Sequence, residues 1–104
     1  MAVDITGALP QLSNLTTGLA NVVTKVTVPS GATRITFVPR TNASKVCFGS
    51  AASGLTDGGA LGAAEYVTLN ANAATQLFLQ GTFTFFVTSA TPSTVVEVVV
   101  EGGR

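Results

Sequence analysis

Few side chains in this 104-residue chain could do chemistry, and their spacing forms none of the usual reactive sets. The sequence has no His and a single Cys, Cys47, which excludes a Ser–His or Cys–His nucleophile pair and an internal disulfide. Lys45 precedes Cys47 by two residues, so both side chains could point the same way on a strand and slightly lower the pKa of the thiol. A structural cysteine in the core is the favoured interpretation.

The carboxylates offer no better site. Glu97 and Glu101 share one face of a predicted strand but lie about 13 Å apart, beyond the roughly 5–10 Å of paired glycosidase carboxylates. Asp57 and Glu65 stay open as a pair, although Asp57 is also typical of a turn. No cluster of Asp, Glu, His or Cys has metal-ligand spacing. We therefore expect a protein that is not an enzyme and takes no cofactor, metal or small-molecule substrate.

A Gly-rich stretch over residues 49–63 invites comparison with phosphate-binding loops. It lacks the Gly-Lys-Ser/Thr ending, and no predicted helix follows to present its N-terminus to an anion. Asp57-Gly58 in its middle predicts a tight turn. We expect a mobile loop between strands, which could become ordered against a partner.

Basic residues are concentrated in the first half of the chain, at Lys25, Arg34, Arg40 and Lys45. A small β-barrel with basic and aromatic residues on one face can bind single-stranded nucleic acid. The formal net charge of zero argues against that function, and so does Phe37, whose strand alternation assigns it to the core face. We do not expect nucleic-acid binding, and we keep it as the rival function from another class.

The composition points towards assembly. Charged residues make up 10% of the chain, against about 25% in ordinary soluble domains. A neutral surface poor in Lys, Glu and Asp resembles an interface core more than a free surface. The first residues show no basic region followed by an apolar run, and no apolar stretch approaches the roughly 20 residues that cross a bilayer. We therefore expect no signal peptide and no membrane partner.

Residues 1–21 differ from the remainder of the chain and are predicted to form an extended N-terminal arm. Leu9, Leu12 and Leu15 recur at three-residue spacing, but Pro10 and the surrounding Gly and Thr residues disfavour a helix. Two placements stay open: the arm lies across a neighbouring subunit, or it forms a strand that covers the open end of its own sandwich. Residues 22–104 form the second unit, a single β-sandwich domain.

Alternating apolar residues and turn signals predict an all-β fold from residue 22 onward. About seven short strands without a long helix indicate an antiparallel β-sandwich or a jelly-roll-like barrel. The predicted strands are 22–28, 33–38, 45–48, 65–69, 76–79, 82–89 and 93–101.

The strands on either side of Gly81 are predicted to form a hairpin. A three-residue loop would pair Leu79 with Phe83 and Leu77 with Phe85, gathering the apolar side chains on one face. Phe78, Thr84 and Phe86 would then share the opposite, outward face.

Apolar residues on outward faces supply the candidate contact residues. Phe78 and Phe86 are predicted to lie in a subunit interface or under the N-terminal arm, and the valines on the outer side of the last strand join them. The 49–63 loop is a further expected contact region. The candidate interface residues are Leu9, Leu12, Leu15, Phe78, Phe86, Val95 and Val99.

Four strings carry a resemblance to a known group of proteins. They are Val-Thr-Val-Pro-Ser-Gly-Ala-Thr-Arg-Ile-Thr-Phe-Val-Pro-Arg at 26–40, Lys-Val-Cys-Phe-Gly at 45–49, Tyr-Val-Thr-Leu at 66–69 and Phe-Phe-Val-Thr-Ser-Ala-Thr-Pro-Ser-Thr-Val-Val-Glu-Val at 85–98. Together they resemble small β-sandwich structural proteins of tailed bacteriophages, including head decoration (cement) proteins. The likeness is one of style and strand order over residues 22–101, without a diagnostic motif.

The resemblance implies a protein made in the host cytoplasm and bound to the capsid surface of the virion. It implies a homotrimer that clamps neighbouring subunits of the major capsid protein, and it supplies no catalytic residue to carry over. A tail or neck accessory protein, or a receptor-binding module of the virion, is the nearest alternative.

Overall fold

The chain folds into nine strands within the part that the structure, a computed structural model, describes, namely residues 2–79 and 83–102. The strands are β1 Val3–Asp4, β2 Gln11–Thr16, β3 Thr24–Val28, β4 Ala32–Pro39, β5 Ser44–Phe48, β6 Val67–Leu69, β7 Thr75–Phe78, β8 Phe83–Thr88 and β9 Val95–Gly102. One 3-10 helix, Gly49–Ala52, follows β5, and the described residues contain no α-helix. The all-β prediction is confirmed, and the seven predicted strands correspond to β3–β9.

Two sheets pack face to face as a β-sandwich. One has four strands in the order β2-β9-β4-β7, all antiparallel. The other has five strands in the order β1-β3-β8-β5-β6, antiparallel except for the parallel pair β1–β3. The packing of two separate sheets selects the sandwich over the barrel.

The core lies between the sheets and is built from every second residue of each strand. Val26 and Phe85 enter it from the five-stranded sheet, and Phe37 and Val98 enter from the four-stranded sheet. The rings of Phe37 and Phe85 meet edge to face, with centroids 5.5 Å apart. Each such side chain contributes about 1.5–3 kcal/mol through burial, so packing holds this domain together without a disulfide.

The N-terminal segment belongs to the sandwich, and an extended arm is not confirmed. Val3 of β1 lies opposite Val26 of β3, and β2 pairs with β9 over its whole length. Leu15 points into the core and is buried there. The described part of the segment therefore adds one edge strand to each of the protein's own sheets, β1 beside β3 and β2 beside β9.

The predicted hairpin between β7 and β8 is wrong. β7 pairs with β4 in one sheet, whereas β8 lies between β3 and β5 in the other. Leu77 and Phe85 do face the same core, but they reach it from opposite sheets. The alternation of apolar residues fixes which side of a strand faces the core and leaves open which sheet the strand joins. The loop predicted around Gly81 lies outside the described residues.

Candidate functional site

The carboxylates of β9 form ion pairs with two arginines, Arg34 in β4 and Arg40 directly after β4. Arg34 Nε donates to Glu101 Oε1 at 2.8 Å, and Arg40 Nε donates to Glu97 Oε2 at 2.6 Å. The hydrogen bond to Glu101 and its charge raise the pKa of the Arg34 guanidinium. These groups compensate one another on the surface, so they provide neither a pair of catalytic acids nor a basic track for a nucleic-acid backbone.

The thiol of Cys47 is buried in a setting that suppresses its reactivity. Burial raises the pKa of the Cys47 thiol, and the nearby negative charge of Glu65 raises it further. Lys45 points to the same side of β5, as predicted, but its Nζ lies over the ring of Tyr66 at 4.7 Å from the centroid. The expected lowering of the thiol pKa by Lys45 is therefore wrong, and the structural interpretation of Cys47 holds.

A shallow pocket of about 210 Å³ lies beside this cysteine. Its lining includes Cys47, Glu65 and Tyr66, together with apolar atoms of β5 and β6. Within the described ranges, no three His, Cys, Asp or Glu residues come close enough to hold a metal ion. The pocket offers apolar surface and one carboxylate, and the adjacent thiol is protonated at neutral pH.

Residues 49–66, which we call the covering loop, close the outer face of the five-stranded sheet. Leu61 of this loop packs with Val23, Cys47 and Phe86 in a second cluster of buried residues. An isolated antiparallel β-bridge between Ala60 of the loop and Val22, just before β3, holds the loop against this sheet. The predicted mobile loop is thus a packed cover, and we call the surface beneath it the covered face.

Asp57 fastens the covering loop to the start of β3. Its Oδ1 accepts a hydrogen bond from the backbone amide of Lys25 at 2.9 Å, and this bond holds the pKa of the Asp57 carboxyl below its ordinary value. Gly58 follows with φ +82°, a left-handed conformation that favours glycine. The tight turn predicted at Asp57-Gly58 is confirmed, and Asp57 has a structural role there.

The outer face of the four-stranded sheet carries no such cover in the described structure: both clusters of buried residues lie elsewhere, one between the sheets and one under the covering loop. We call it the open face. Strand pairing aligns Leu12, Val99, Thr36 and Gln76 in one row across it. The face consists of Leu12, Asn14, Thr16, Arg34, Thr36, Val38, Arg40, Gln76, Phe78, Val95, Glu97, Val99 and Glu101.

Four of the seven predicted interface residues come together on the open face. Leu12 and Phe78 stand at its two edges and are 67% and 79% exposed, whereas Val95 and Val99 lie half-buried in its centre. These are side chains from three different strands, and the sheet brings them onto one surface.

The other three predicted interface residues are placed elsewhere, which corrects the prediction. Phe86 is only 7% exposed because the covering loop packs over it. It lies neither under the N-terminal segment nor on the same face as Phe78, since β7 and β8 are in different sheets. Leu15 is part of the core, and Leu9 is half-buried against that core, close to Gly102. These side chains stabilise the monomer.

Both edges of the four-stranded sheet present main-chain groups that the described chain does not pair. Thr17 N donates to Thr94 O, and bonded residues alternate along an antiparallel pair, so the main-chain groups of Leu12, Asn14 and Thr16 point away from β9. At the opposite edge, Leu79 N donates to Thr33 O. By the same alternation, the groups of Gln76 and Phe78 point away from β4.

Sequence reasoning missed the ion pairs and the cover. Arg34 and Glu101 lie opposite each other in the β4–β9 register, a pairing that needs knowledge of which strands are neighbours. The cover had a visible signal in Leu55 and Leu61, two large apolar residues within an otherwise small and polar stretch. Such anchors indicate a loop that packs onto the domain.

Comparisons with protein-family models, curated proteins and solved structures find no match to this chain. Over residues 2–79 and 83–102, the structure has no helix long and apolar enough to cross a membrane. The open face, whose two edges are not paired by the described residues, is therefore the candidate site for contact with a partner.

Proposed function

We propose that this chain is a structural protein of a tailed bacteriophage virion, a decoration protein that binds the assembled head through its open face. The observation that carries the proposal is this face itself, an exposed sheet surface with Leu12 and Phe78 at its two edges and Val95 and Val99 at its centre, among polar and ion-paired residues. Unlike the other outer face, it has no cover from the described chain. The resemblance of residues 26–40 and 85–98 to such proteins supplies the identity of the partner, the major capsid protein.

The charge pattern of the open face suits contact with another protein. Its two arginines are each bonded to a glutamate of the same chain, so a partner would meet a compensated surface and would not bury an unpaired charge. Apolar residues lie between and beside these pairs, with Val99 central and Leu12 and Phe78 at the rims. The same pairing weakens the single-strand nucleic-acid alternative, because Arg34 and Arg40 are already neutralised.

The proposed mechanism is stabilisation by linkage. A protein that binds only the assembled shell shifts the equilibrium away from open or disassembled states by RT ln(1 + [L]/Kd) for each site. This amounts to about 2.7 kcal/mol per site when the free protein is at 100 times its Kd. Such a function needs surface and no reactive group.

The test is co-sedimentation with empty heads assembled from the major capsid protein encoded in the same genome. The full chain should bind in a saturable, stoichiometric way and raise the temperature at which the heads disassemble. Val99→Lys should weaken binding by more than about tenfold, because the ammonium would be buried at the centre of the contact. In the free protein, this lysine would lie between Glu97 and Glu101 on the same strand face and be tolerated.

Thr27→Lys is the matched control. Thr27 lies on the outer side of the five-stranded sheet, opposite Asp4 in the β1–β3 register, so the new charge has a partner there as well. This variant should bind heads like the wild type. Equal weakening by both variants, or no sedimentation of the wild type at micromolar concentration, would reject the proposal. Binding to purified tails but not to heads would select the tail accessory alternative.

A further inference from the structure

The two edges of the open face are complementary to each other in direction, hydrogen bonding and side-chain chemistry. From this we infer that copies of this chain join edge to edge, with β7 of one copy pairing antiparallel with β2 of the next. The inference goes beyond the proposed function and stands without it, because it concerns only contacts between copies of this chain.

Strand direction allows this pairing in a closed ring. β2, β9, β4 and β7 alternate in direction across the sheet, so β2 and β7 run opposite ways. Rotation about an axis along the strands keeps the direction of β2 in the next copy. That strand therefore meets β7 as an antiparallel neighbour, and repetition of a head-to-tail contact of this kind closes a ring when the rotation permits.

The available main-chain groups match as well. Leu12, Asn14 and Thr16 present theirs at the β2 edge, and Gln76 and Phe78 present theirs at the β7 edge. All five residues have side chains on the open face, as antiparallel bonded pairs require. Pairing these edges would continue the hydrogen-bond ladder and the open face from one copy to the next.

One register pairs an apolar residue with an apolar residue, and an amide side chain with an amide side chain, across the contact. It sets Leu12 opposite Phe78 of the neighbouring copy and Asn14 opposite Gln76. The apolar pair would cover two of the most exposed large hydrophobic side chains in the described structure. The amide pair can exchange side-chain hydrogen bonds, and cross-strand pairs of both kinds stabilise sheets.

Both edges are uncharged, which favours a second copy of this chain as the partner that pairs with them. Neither β2 nor β7 contains a charged residue, so the contact buries no ion and meets no like-charge repulsion. Natural edge strands usually carry Lys, an internal Pro or a bulge that blocks such pairing, and the six residues of β2 carry none of these. A strongly charged partner would gain nothing from either edge.

The test introduces opposite charges at the two positions that would meet across the contact. The readout is the molar mass, measured by light scattering after gel filtration over a series of protein concentrations. The wild type should give a molar mass that is a multiple of 10.5 kDa. Leu12→Lys and Phe78→Glu should each weaken association by more than about tenfold. Within one chain, the new lysine would lie near Glu97 and Glu101, and the new glutamate would lie beside Arg34, so both variants should fold.

The double variant Leu12→Lys/Phe78→Glu should recover the oligomer. Positions 12 and 78 are at opposite edges of the same sheet, so only contact between copies can bring the two new charges together. Leu19→Lys combined with Phe78→Glu is the matched control and should not recover it. Leu19 is 73% exposed, comparable to Leu12, but lies in the connection between β2 and β3.

Asn14→Pro adds an independent variant that introduces no charge. The amide of Asn14 points away from β9, so proline should leave the internal ladder intact and still remove a donor from the edge. It should weaken the oligomer, with circular dichroism and thermal unfolding confirming the fold. A wild type at monomer mass throughout, or an oligomer that resists all these single variants, would overturn the inference. Failure of the double variant to recover would overturn the register.

Discussion

The two outer faces of this sandwich carry similar outward residues, but one face is covered by the chain and the other is exposed. Each presents a phenylalanine on the outer side of a strand, Phe86 on the five-stranded sheet and Phe78 on the four-stranded sheet. Phe86 is 7% exposed and Phe78 is 79% exposed, because the covering loop reaches the first and not the second. An outward aromatic residue is thus part of the monomer core or a candidate contact, depending on which loop lies next to it.

The position of the long connection explains the difference. The covering loop joins β5 to β6, and both strands belong to the five-stranded sheet, so the connection folds back over that sheet. Among the described residues, the connections next to the four-stranded sheet are much shorter, for example the four residues between β4 and β5. None of these described connections is long enough to fold over the four-stranded sheet as the covering loop folds over the other one.

The largest expected effect comes from truncating the two phenylalanines. Phe86→Ala should lower the free energy of unfolding by about 3–5 kcal/mol, since it empties a packed site under the covering loop. Phe78→Ala should change the stability of the monomer by less than about 0.5 kcal/mol, since its ring is in solvent. Urea unfolding at low protein concentration measures both, and similar losses for the two variants would contradict the distinction between the faces.

Cys47 gives the next effect in size. Cys47→Ser should lower the free energy of unfolding by about 1–3 kcal/mol, because it places a hydroxyl in a buried apolar site. Thr36→Ser on the open face is the control and should stay within about 0.5 kcal/mol. In the wild type, a disulfide reagent should modify the thiol slowly at pH 7–8, since burial raises the pKa of Cys47 and limits access. Rapid modification of the folded protein would show that the covering loop does not close this face.

A smaller effect is expected for the ion pair between Arg40 and Glu97 on the open face. A double-mutant cycle with Arg40→Gln and Glu97→Gln should give a coupling of about 0.2–1 kcal/mol, because both side chains are partly exposed. The coupling should fall in 1 M salt. A larger, salt-independent value would indicate that the pair is sheltered from solvent, contrary to an open face.

The smallest effect concerns Asp57, which fastens the covering loop. Its lowered pKa means that the stabilisation is fully present above the ordinary Asp pKa of about 3.9 and is lost as pH falls through the lower, folded value. Asp57→Asn should therefore cost under about 0.5 kcal/mol at pH 7 and less at pH 3. Unfolding of the wild type and the variant at both pH values measures this, and a larger cost at pH 3 would contradict the assignment.

The sequence predicted the strands better than their partners. The alternation assigned Phe37 to the core face and placed Leu77 and Phe85 on one apolar face, and all three do face the core, because burial on one side of a strand imposes a period of two. It could not show that β7 and β8 belong to different sheets, since a strand in either sheet can present the same apolar face to one shared core. Sheet membership depends on contacts between distant parts of the chain.

The candidate site was also predictable only where the alternation within a strand decides which side chains face outward. Val95, Val99 and Phe78 were singled out as outward apolar residues and Leu12 as a residue of the N-terminal arm, and the sheet gathers all four on the open face. Phe86 satisfied the same criterion and failed, because alternation within a strand says nothing of the loop that packs over it.

Carbene footprinting of the protein, free and bound to heads, tests the central claim most directly. Binding should reduce the labelling of Thr36, Val95 and Val99 at the centre of the open face, and leave the labelling of the covering loop, including Tyr66, unchanged. The centre of the sheet is informative because edge pairing between copies does not cover it. Protection confined to the covering loop, with Thr36, Val95 and Val99 labelled as in the free protein, would contradict the account.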